Sequence, residues 1–280
     1  MASVVYLNGK FVNKEEATVS VFDRGFLFSD SVYEVIHVQD NKLFLFDEHL
    51  ERLKRSLREL KIPEPEVDIL QLCRDLLSQQ PVSFGGVYLQ ITRGLQNKRS
   101  HFWQGEKLTP FVVAFVQEIA KTAPKALKAI TYPDLRWQRC DIKTNSLLAN
   151  VLAREEAAVN GCDEALLLNT EGNVNEGSST NLFVYNDSQV FTPPISENIL
   201  PGVTRHFLIQ ILKDMAIPVA ESKISKQELI KAEEVWISSS TKDVLPLQKI
   251  DDHELKFKMA GSLWSKVYDQ FQLQKKNYLI

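Results

Sequence analysis

Apolar and polar residues alternate through the first forty-odd positions of the chain, and two polar pairs, Asn8-Gly9 and Asp40-Asn41, interrupt them. Period-two patterning around such pairs predicts hairpins. One joins Val5-Tyr6-Leu7 to Phe11-Val12. A second joins residues 32–38 to residues 43–46. In the first strand of this second hairpin, Val32, Glu34, Ile36 and Val38 share one face, and Tyr33, Val35 and His37 share the other. The period then lengthens. Leu50, Leu53, Leu57 and Leu60 form a stripe at helical spacing. This predicts a helix over residues 48–61, capped by Asp47 and stopped by Pro63 and Pro65. A second amphipathic helix is expected over 67–77, and strands over 87–92 and 111–117, with the polar loop 93–108 between them.

Residues 118–125 (EIAKTAPK) break the composition and read as a linker. They divide the chain into an N-terminal domain, 1–119, and a C-terminal domain, 120–280. Beyond the linker come a short strand over 126–132, an irregular polar stretch, and a helix with Leu147, Leu148, Val151 and Leu152 as its expected buried face. Asn145 or Ser146 can cap this helix, and Gly161 can stop it. Strands follow over 164–168, 181–185, 189–192 and 234–237. The segment Leu200-Pro201-Gly202-Val203-Thr204 opens a further helix, whose apolar face is Phe207, Leu208, Ile211, Leu212 and Met215.

Composition narrows the function classes. A net charge of −3 with dispersed basic residues argues against nucleic-acid or membrane-surface partners. The longest apolar run, 111–116, is too short to span a bilayer, and no secretory leader pattern is present. The cysteines, Cys73, Cys140 and Cys162, and the scattered histidines lack metal-ligand spacing, so no metal is expected and a reducing cytoplasm is the simplest location. No GxGxxG or Walker A motif occurs.

Candidate chemistry lies in what remains. Lys143 precedes an apolar helix, where a loop can aim its side chain inward, and a desolvated lysine amine is a nucleophile that forms Schiff bases. Arg52, early in its helix and against the helix dipole, is placed to meet an anion. Arg99 and His101, two apart on an extended loop, point the same way and together can grip a carboxylate. The helix start at Val203-Thr204 and the hydroxyl cluster from Ser238 to Thr241, including Ser240, are natural phosphate cradles. Glu176, in a Gly/Ser-rich turn, is an acidic residue suited to a pyridine nitrogen. One amine, one arginine, two anion sites and one acid suit pyridoxal 5′-phosphate.

The spaced pattern Glu176-Gly-Ser-Ser-Thr-Asn181-Leu-Phe, Val190-Phe-Thr192 and Leu200-Pro-Gly202-Val203-Thr204-Arg205 resembles the class IV aminotransferase signature. The likeness extends through Asp23-Arg24-Gly25-Phe26, Val32-Tyr33-Glu34-Val35, Glu48-His49-Leu-Glu-Arg52-Leu, Thr92-Arg93-Gly94, Arg136 to Lys143 and Ser238 to Thr241. Within the family the D-amino-acid enzymes are most similar. The resemblance implies an α+β, two-domain, fold type IV architecture, with a smaller N-terminal α/β domain, a larger C-terminal pseudo-barrel and the cofactor at their interface. It implies that Lys143 carries the cofactor covalently and moves the substrate proton, and that Glu176 pairs with the ring nitrogen. Arg52, Val203, Thr204 and Ser240 would hold the phosphate, and Leu200 would pack on the ring. Tyr33, Val35 and His37 would line the substrate pocket. Arg99 and His101 would form the carboxylate trap, donated across a homodimer. The implied reaction is ping-pong transfer of an amino group from a D-amino acid such as D-alanine to a 2-oxo acid such as 2-oxoglutarate. A branched-chain L-amino-acid aminotransferase, an aminodeoxychorismate lyase and a non-catalytic scaffold are the alternatives. Two departures stand out: His37 occupies a position where a lysine is expected, and Phe102-Trp103-Gln104 replaces a proline-containing continuation.

Overall fold

The alternating N-terminal segments build a sheet. The computed structural model describes residues 3–103 and 107–280; Met1, Ala2 and Gln104 to Glu106, the last three part of the 93–108 loop, lie outside them. The described residues divide into two compact units, those within Met1–Lys121 together with Ile142–Ser146 and Tyr278–Ile280, and those of Thr122–Asp141 together with Leu147–Asn277. The short segment that carries Lys143 thus belongs with the first unit.

In the first unit, β1 (Val4–Leu7) and β2 (Lys10–Asn13) form the first hairpin. A short helix, α1 (Arg24–Phe28), leads into β3 (Ser31–Gln39) and β4 (Lys42–Leu43). Helices α2 (Phe46–Leu60) and α3 (Ile69–Gln79) follow, then β5 (Phe84–Thr92) and β6 (Phe111–Glu118). Among the described residues they make a six-stranded sheet in the order β2-β1-β6-β5-β3-β4. Val32, Ile36 and Val38 from β3 pack with Leu53 and Leu57 from α2 and Leu72 and Leu76 from α3. Each such buried side chain stabilises by about 1.5–3 kcal/mol before entropy is counted. Asp47 is not the cap of α2. The helix begins one residue earlier, at Phe46, and Leu45 in the left-handed region (φ 52°) turns the chain into it without a side-chain cap. The final residues return to β4: the Leu43 N–H donates to the Ile280 carbonyl (2.9 Å), the Ile280 N–H to the Leu43 carbonyl (3.0 Å), and the Leu45 N–H to the Tyr278 carbonyl (3.2 Å).

The second unit holds a mixed sheet that curls into a half-barrel. Its elements are β7 (Leu127–Pro133), α4 (Leu148–Val159), β8 (Glu164–Leu168), β9 (Val174–Gly177), β10 (Asn181–Asn186), β11 (Gln189–Thr192), α5 (Val203–Asp214), β12 (Val219–Glu221), α6 (Lys226–Lys231), β13 (Glu234–Ser239), β14 (Asp243–Ile250), β15 (His253–Glu254) and α7 (Leu263–Lys275). Among the described residues the sheet has nine strands, ordered β12-β11-β10-β13-β14-β7-β8-β9, with β15 paired to β14. Its apolar layer includes Leu166, Leu182, Val184, Val235, Ile237 and Leu247.

Helix α4 corrects the sequence expectation. Its buried side is Ala153 and Ala157, packed on Ala165 and Leu167 of β8. Two alanines one turn apart let the helix backbone approach the strand closely. The larger residues face outward: Leu148 is 73% exposed, and Val151, Leu152 and Val159 are also exposed. Neither Asn145 nor Ser146 caps the helix; Leu147 occupies that position and makes no side-chain cap. Glu176 lies on a strand, β9, rather than in a turn.

Candidate active site

The candidate residues fall into two groups, one in each unit. In the first unit, Lys143 lies on a segment laid beside β3. Thr144 bridges Val32, the Tyr33 N–H donates to the Lys143 carbonyl (3.0 Å), and the Lys143 N–H donates to Ser56 Oγ (3.3 Å). Asn145, freed from capping, accepts from Ser31 Oγ (2.8 Å) and donates to the Tyr88 hydroxyl (3.0 Å). This pins the lysine's backbone on both sides. Its Nζ lies 4.3 Å from the centre of the Tyr33 ring, which stacks on Tyr88 at 5.8 Å.

The next residue of β3, Glu34, is fully buried. It lies on the Val32/Ile36 face, where a carboxylate must find a buried cation. Arg52 supplies it through a two-pronged contact, Nε to Oε1 at 2.8 Å and Nη2 to Oε2 at 2.7 Å. His49, three residues before Arg52 on the buried side of α2, contacts Glu34 Oε2 through Nδ1 at 2.7 Å. Burial alone would raise the Glu34 pKa, but the charge of Arg52 and the hydrogen bonds of Arg52 and His49 override it and hold the carboxyl well below its usual range. Burial pushes the His49 imidazole down, keeping it neutral despite Glu34 beside it. Val35 is half-buried, and His37 is fully buried with its ring edge-on to Phe84 at 4.7 Å and Phe44 at 6.2 Å.

Arg99 and His101 share one support. The Arg99 guanidinium sits 5.0 Å from the centre of the Phe28 ring, and the His101 ring 5.2 Å from it. Both residues are exposed.

In the second unit, Glu176 is buried and accepts from three neighbours. Arg136 Nη1 and the Leu200 N–H (3.1 Å) donate to Oε1, and Asn181 Nδ2 donates to Oε2 (3.1 Å). Arg136 is shared: its Nε and Nη2 go to Asp134 at 2.9 and 2.8 Å. Burial outweighs these partners and pushes the Glu176 carboxyl up to about 7. A second buried acid, Glu164, gathers the turn that follows β9. It accepts from the Ser178 N–H (3.1 Å), Ser179 Oγ (3.2 Å), Thr180 Oγ1 (3.1 Å) and Ser178 Oγ.

Val203 and Thr204 are buried at the start of α5, where unpaired N–H groups and the helix dipole favour an anion. Gly202 precedes them, and a Cβ there would meet Asn181 Oδ1 at 1.9 Å, so a larger residue would displace the amide that donates to Glu176. Ser238, opposite Asn181 across β13 and β10, has a buried Oγ with no hydrogen-bond partner among the described residues. Ser240 is half-buried in the turn between β13 and β14.

Sequence reasoning missed Glu34, His49, Arg136, Asn181 and Glu164 as functional candidates. Glu34 had a usable signal, a carboxylate on an otherwise apolar strand face. Glu164 had none, because its partners lie beyond β9.

A profile of the Amino-transferase class IV family matches residues 31–250. The chain is 37% identical over 273 residues to a D-alanine aminotransferase of Staphylococcus epidermidis, covering 96% of each, and 35% identical to a D-alanine aminotransferase of Bacillus licheniformis, covering 96% of this chain and 95% of that one. Among solved structures, the branched-chain aminotransferase of the archaeon Thermoproteus uzoniensis, solved with norvaline, superposes with a TM-score of 0.86 at 24% identity, covering 100% of this chain and 99% of that one. The branched-chain enzyme of Escherichia coli also gives 0.86 at 24%, covering 96% and 92%. At that identity these structures establish the fold. The chain belongs to the class IV aminotransferases. It is a fold type IV, pyridoxal-phosphate-dependent transaminase.

The residues present fit that cofactor. Glu176 accepts two donors on Oε1 and one on Oε2, which leaves a lone pair for a ring N–H. Ser238 Oγ is a buried group with unmet bonding capacity, and the start of α5 suits a phosphate.

Proposed function

We propose that this chain transfers the amino group of a D-amino acid, D-alanine being the type substrate, to a 2-oxo acid such as 2-oxoglutarate. The observation that supports this substrate class most directly is the pairing of Arg99 and His101 on one aromatic support, Phe28, in a chain 35–37% identical to D-alanine aminotransferases. Two cationic or donor groups on one ring suit a carboxylate better than either alone.

The bound cofactor supplies an electrophilic aldehyde and an electron sink for charge developing at the substrate Cα. Lys143 would supply the amine for its covalent attachment and, once the substrate amine has displaced it, the free amine would move the proton off Cα. Glu176 would keep the ring nitrogen protonated by accepting a hydrogen bond from its N–H. Arg52, the N–H groups of Val203 and Thr204, and Ser240 bind the phosphate. Leu200 packs against the ring. Tyr33, Val35 and His37 shape the pocket for the substrate side chain. The fixed Glu34–Arg52 contact leaves the guanidinium no rotational freedom, which suits an anion clamp.

A homodimer, with the Arg99/His101 loop contributed to the neighbouring copy, is supported by the exposed apolar stripe of α4 and by exposed Phe22, Phe26 and Phe102 in the first unit. No helix among the described residues is long and apolar enough to cross a membrane. The three free thiols suit a reducing cytoplasm.

The test is a panel of D- and L-amino acids offered singly to the holoenzyme, read by the change in cofactor absorbance. D-alanine should convert the cofactor and L-leucine should not. Lys143→Ala should abolish the response. A protein that takes up no cofactor, or that prefers L-leucine, refutes the proposal.

A further inference from the structure

The chain's departure after His101 has a structural counterpart. Three successive carbonyls of this loop are held from below. Arg24 Nη1 donates to the Ser100 carbonyl (2.6 Å) and Nη2 to the His101 carbonyl (3.4 Å), while Gln96 Nε2 donates to the Phe102 carbonyl (2.9 Å). Arg24 also donates through Nη1 to Gln96 Oε1 (2.6 Å), so the two side chains act as one bracket. Both are buried.

Arg24 is itself oriented. Its Nε donates to Asp30 Oδ2 (2.8 Å), and the same carboxylate takes Nε and Nη2 of Arg93 at 2.7 and 2.8 Å. Arg93 is fixed in turn by the Leu60 and Lys61 carbonyls at the end of α2 (2.7 and 2.9 Å). Trp103 closes the arrangement. Its ring lies 4.1 Å from the Arg93 guanidinium and 5.5 Å from that of Arg24. Arg24 also lies 4.8 Å from the centre of the Phe28 ring, the ring that supports Arg99 and His101.

We propose that Arg24, Gln96 and Trp103 form a positioning cage that sets where Arg99 and His101 are presented, and so sets how tightly the substrate carboxylate is held. The inference rests on the reading of Arg99 and His101 as the carboxylate trap. The bracket grips main-chain carbonyls, so it fixes the loop's path whatever side chains the loop carries. Trp103 restricts the loop beyond His101 through the contact of its ring with two cations.

The test compares Trp103→Ala, Trp103→Phe and Gln96→Ala holoenzymes with wild type. Trp103→Ala and Gln96→Ala should each raise KM for D-alanine about tenfold while kcat changes less than about twofold. Trp103→Phe, which keeps a ring face, should recover most of the loss. Conversion of the cofactor by ethylamine, which has no carboxylate, should proceed at the wild-type rate in all three. Amide exchange at residues 100–103 should quicken in both alanine variants in the absence of substrate, a readout independent of turnover. Arg99→Ala separates the two layers. If it leaves KM for D-alanine unchanged, the trap reading has failed and the cage falls with it. If it raises KM while both alanine variants bind D-alanine normally, or if they slow ethylamine as much as D-alanine, the trap stands and the cage is overturned. Should Trp103→Ala not fold, the Gln96→Ala result decides.

Discussion

Glu34 and Glu176 are both buried, and both contact an arginine, yet they are poised in opposite directions. Glu34 is held well below the usual carboxylate range, and Glu176 is pushed up to about 7. Burial opposes ionisation in both, so the difference lies in the partners. Arg52 gives Glu34 two N–H groups, and His49 adds a contact. Arg136 gives Glu176 one N–H and directs Nε and Nη2 to Asp134. The remaining donors to Glu176, an amide side chain and a backbone N–H, are neutral. Glu34 is therefore electrostatically complete, while Glu176 has only a share of one cation. An acid in that condition suits a ligand that brings a positive N–H.

The largest effect expected from breaking this contrast is at Arg52. Arg52→Met leaves Glu34 buried and uncompensated, and should cost about 3–5 kcal/mol in urea unfolding. The double variant with Glu34→Gln should recover much of that cost, because the two sites are coupled.

Glu176 should produce the next largest effect, with a definite sign. Its folded pKa lies above its unfolded value of 4.5, so the folded state holds the proton longer. The resulting stabilisation is full below pH 4.5 and is lost as pH rises through about 7, a span on the order of 3 kcal/mol. Glu176→Gln removes the titration. In cofactor-free protein, the stability difference between wild type and this variant should change by that amount between pH 4.5 and pH 8. A flat difference would show that Arg136 alone keeps Glu176 ionised. The Glu34 side runs the other way: its stabilisation is present above pH 4.5 and fades as pH falls.

Asp134→Asn should sharpen the comparison by releasing Arg136. The Glu176 titration should move down by about one unit in the same stability difference. His49→Gln should matter least at neutral pH, about 1 kcal/mol, because the imidazole there is neutral and serves as one hydrogen-bond partner.

Much of the fold was legible in the sequence. Strand alternation and the Asn8-Gly9 and Asp40-Asn41 pairs pointed to the hairpins of the first sheet, and the fold type IV resemblance anticipated the α+β architecture that the comparisons establish. What stayed hidden depended on distant partners. The stripe on α4 was periodic, yet Ala153 and Ala157 take the close packing and the larger residues face outward. Periodicity reports that a face is apolar, not what covers it. Asn145 resembled a cap, but Ser31 and Tyr88 claim its side chain. The electrostatic roles of Glu34 and Arg136 rest on groups many residues away, or on one cation divided between two carboxylates. Local pattern rules contain no term for such sharing.

The return of the final residues to β4 has a consequence for how the molecule is made. The N–H groups of Leu43 and Leu45 donate to Ile280 and Tyr278, and the whole second unit is synthesised in between. At roughly 5–20 residues per second, the roughly 235 residues between β4 and these partners take on the order of ten to fifty seconds. During that interval β4 is a nascent edge with unsatisfied backbone groups, open to pairing with a neighbouring ribosome's product. A strong pause within the stretch that encodes the second unit should therefore lower the soluble yield, while the thermodynamics of the finished protein stay unchanged.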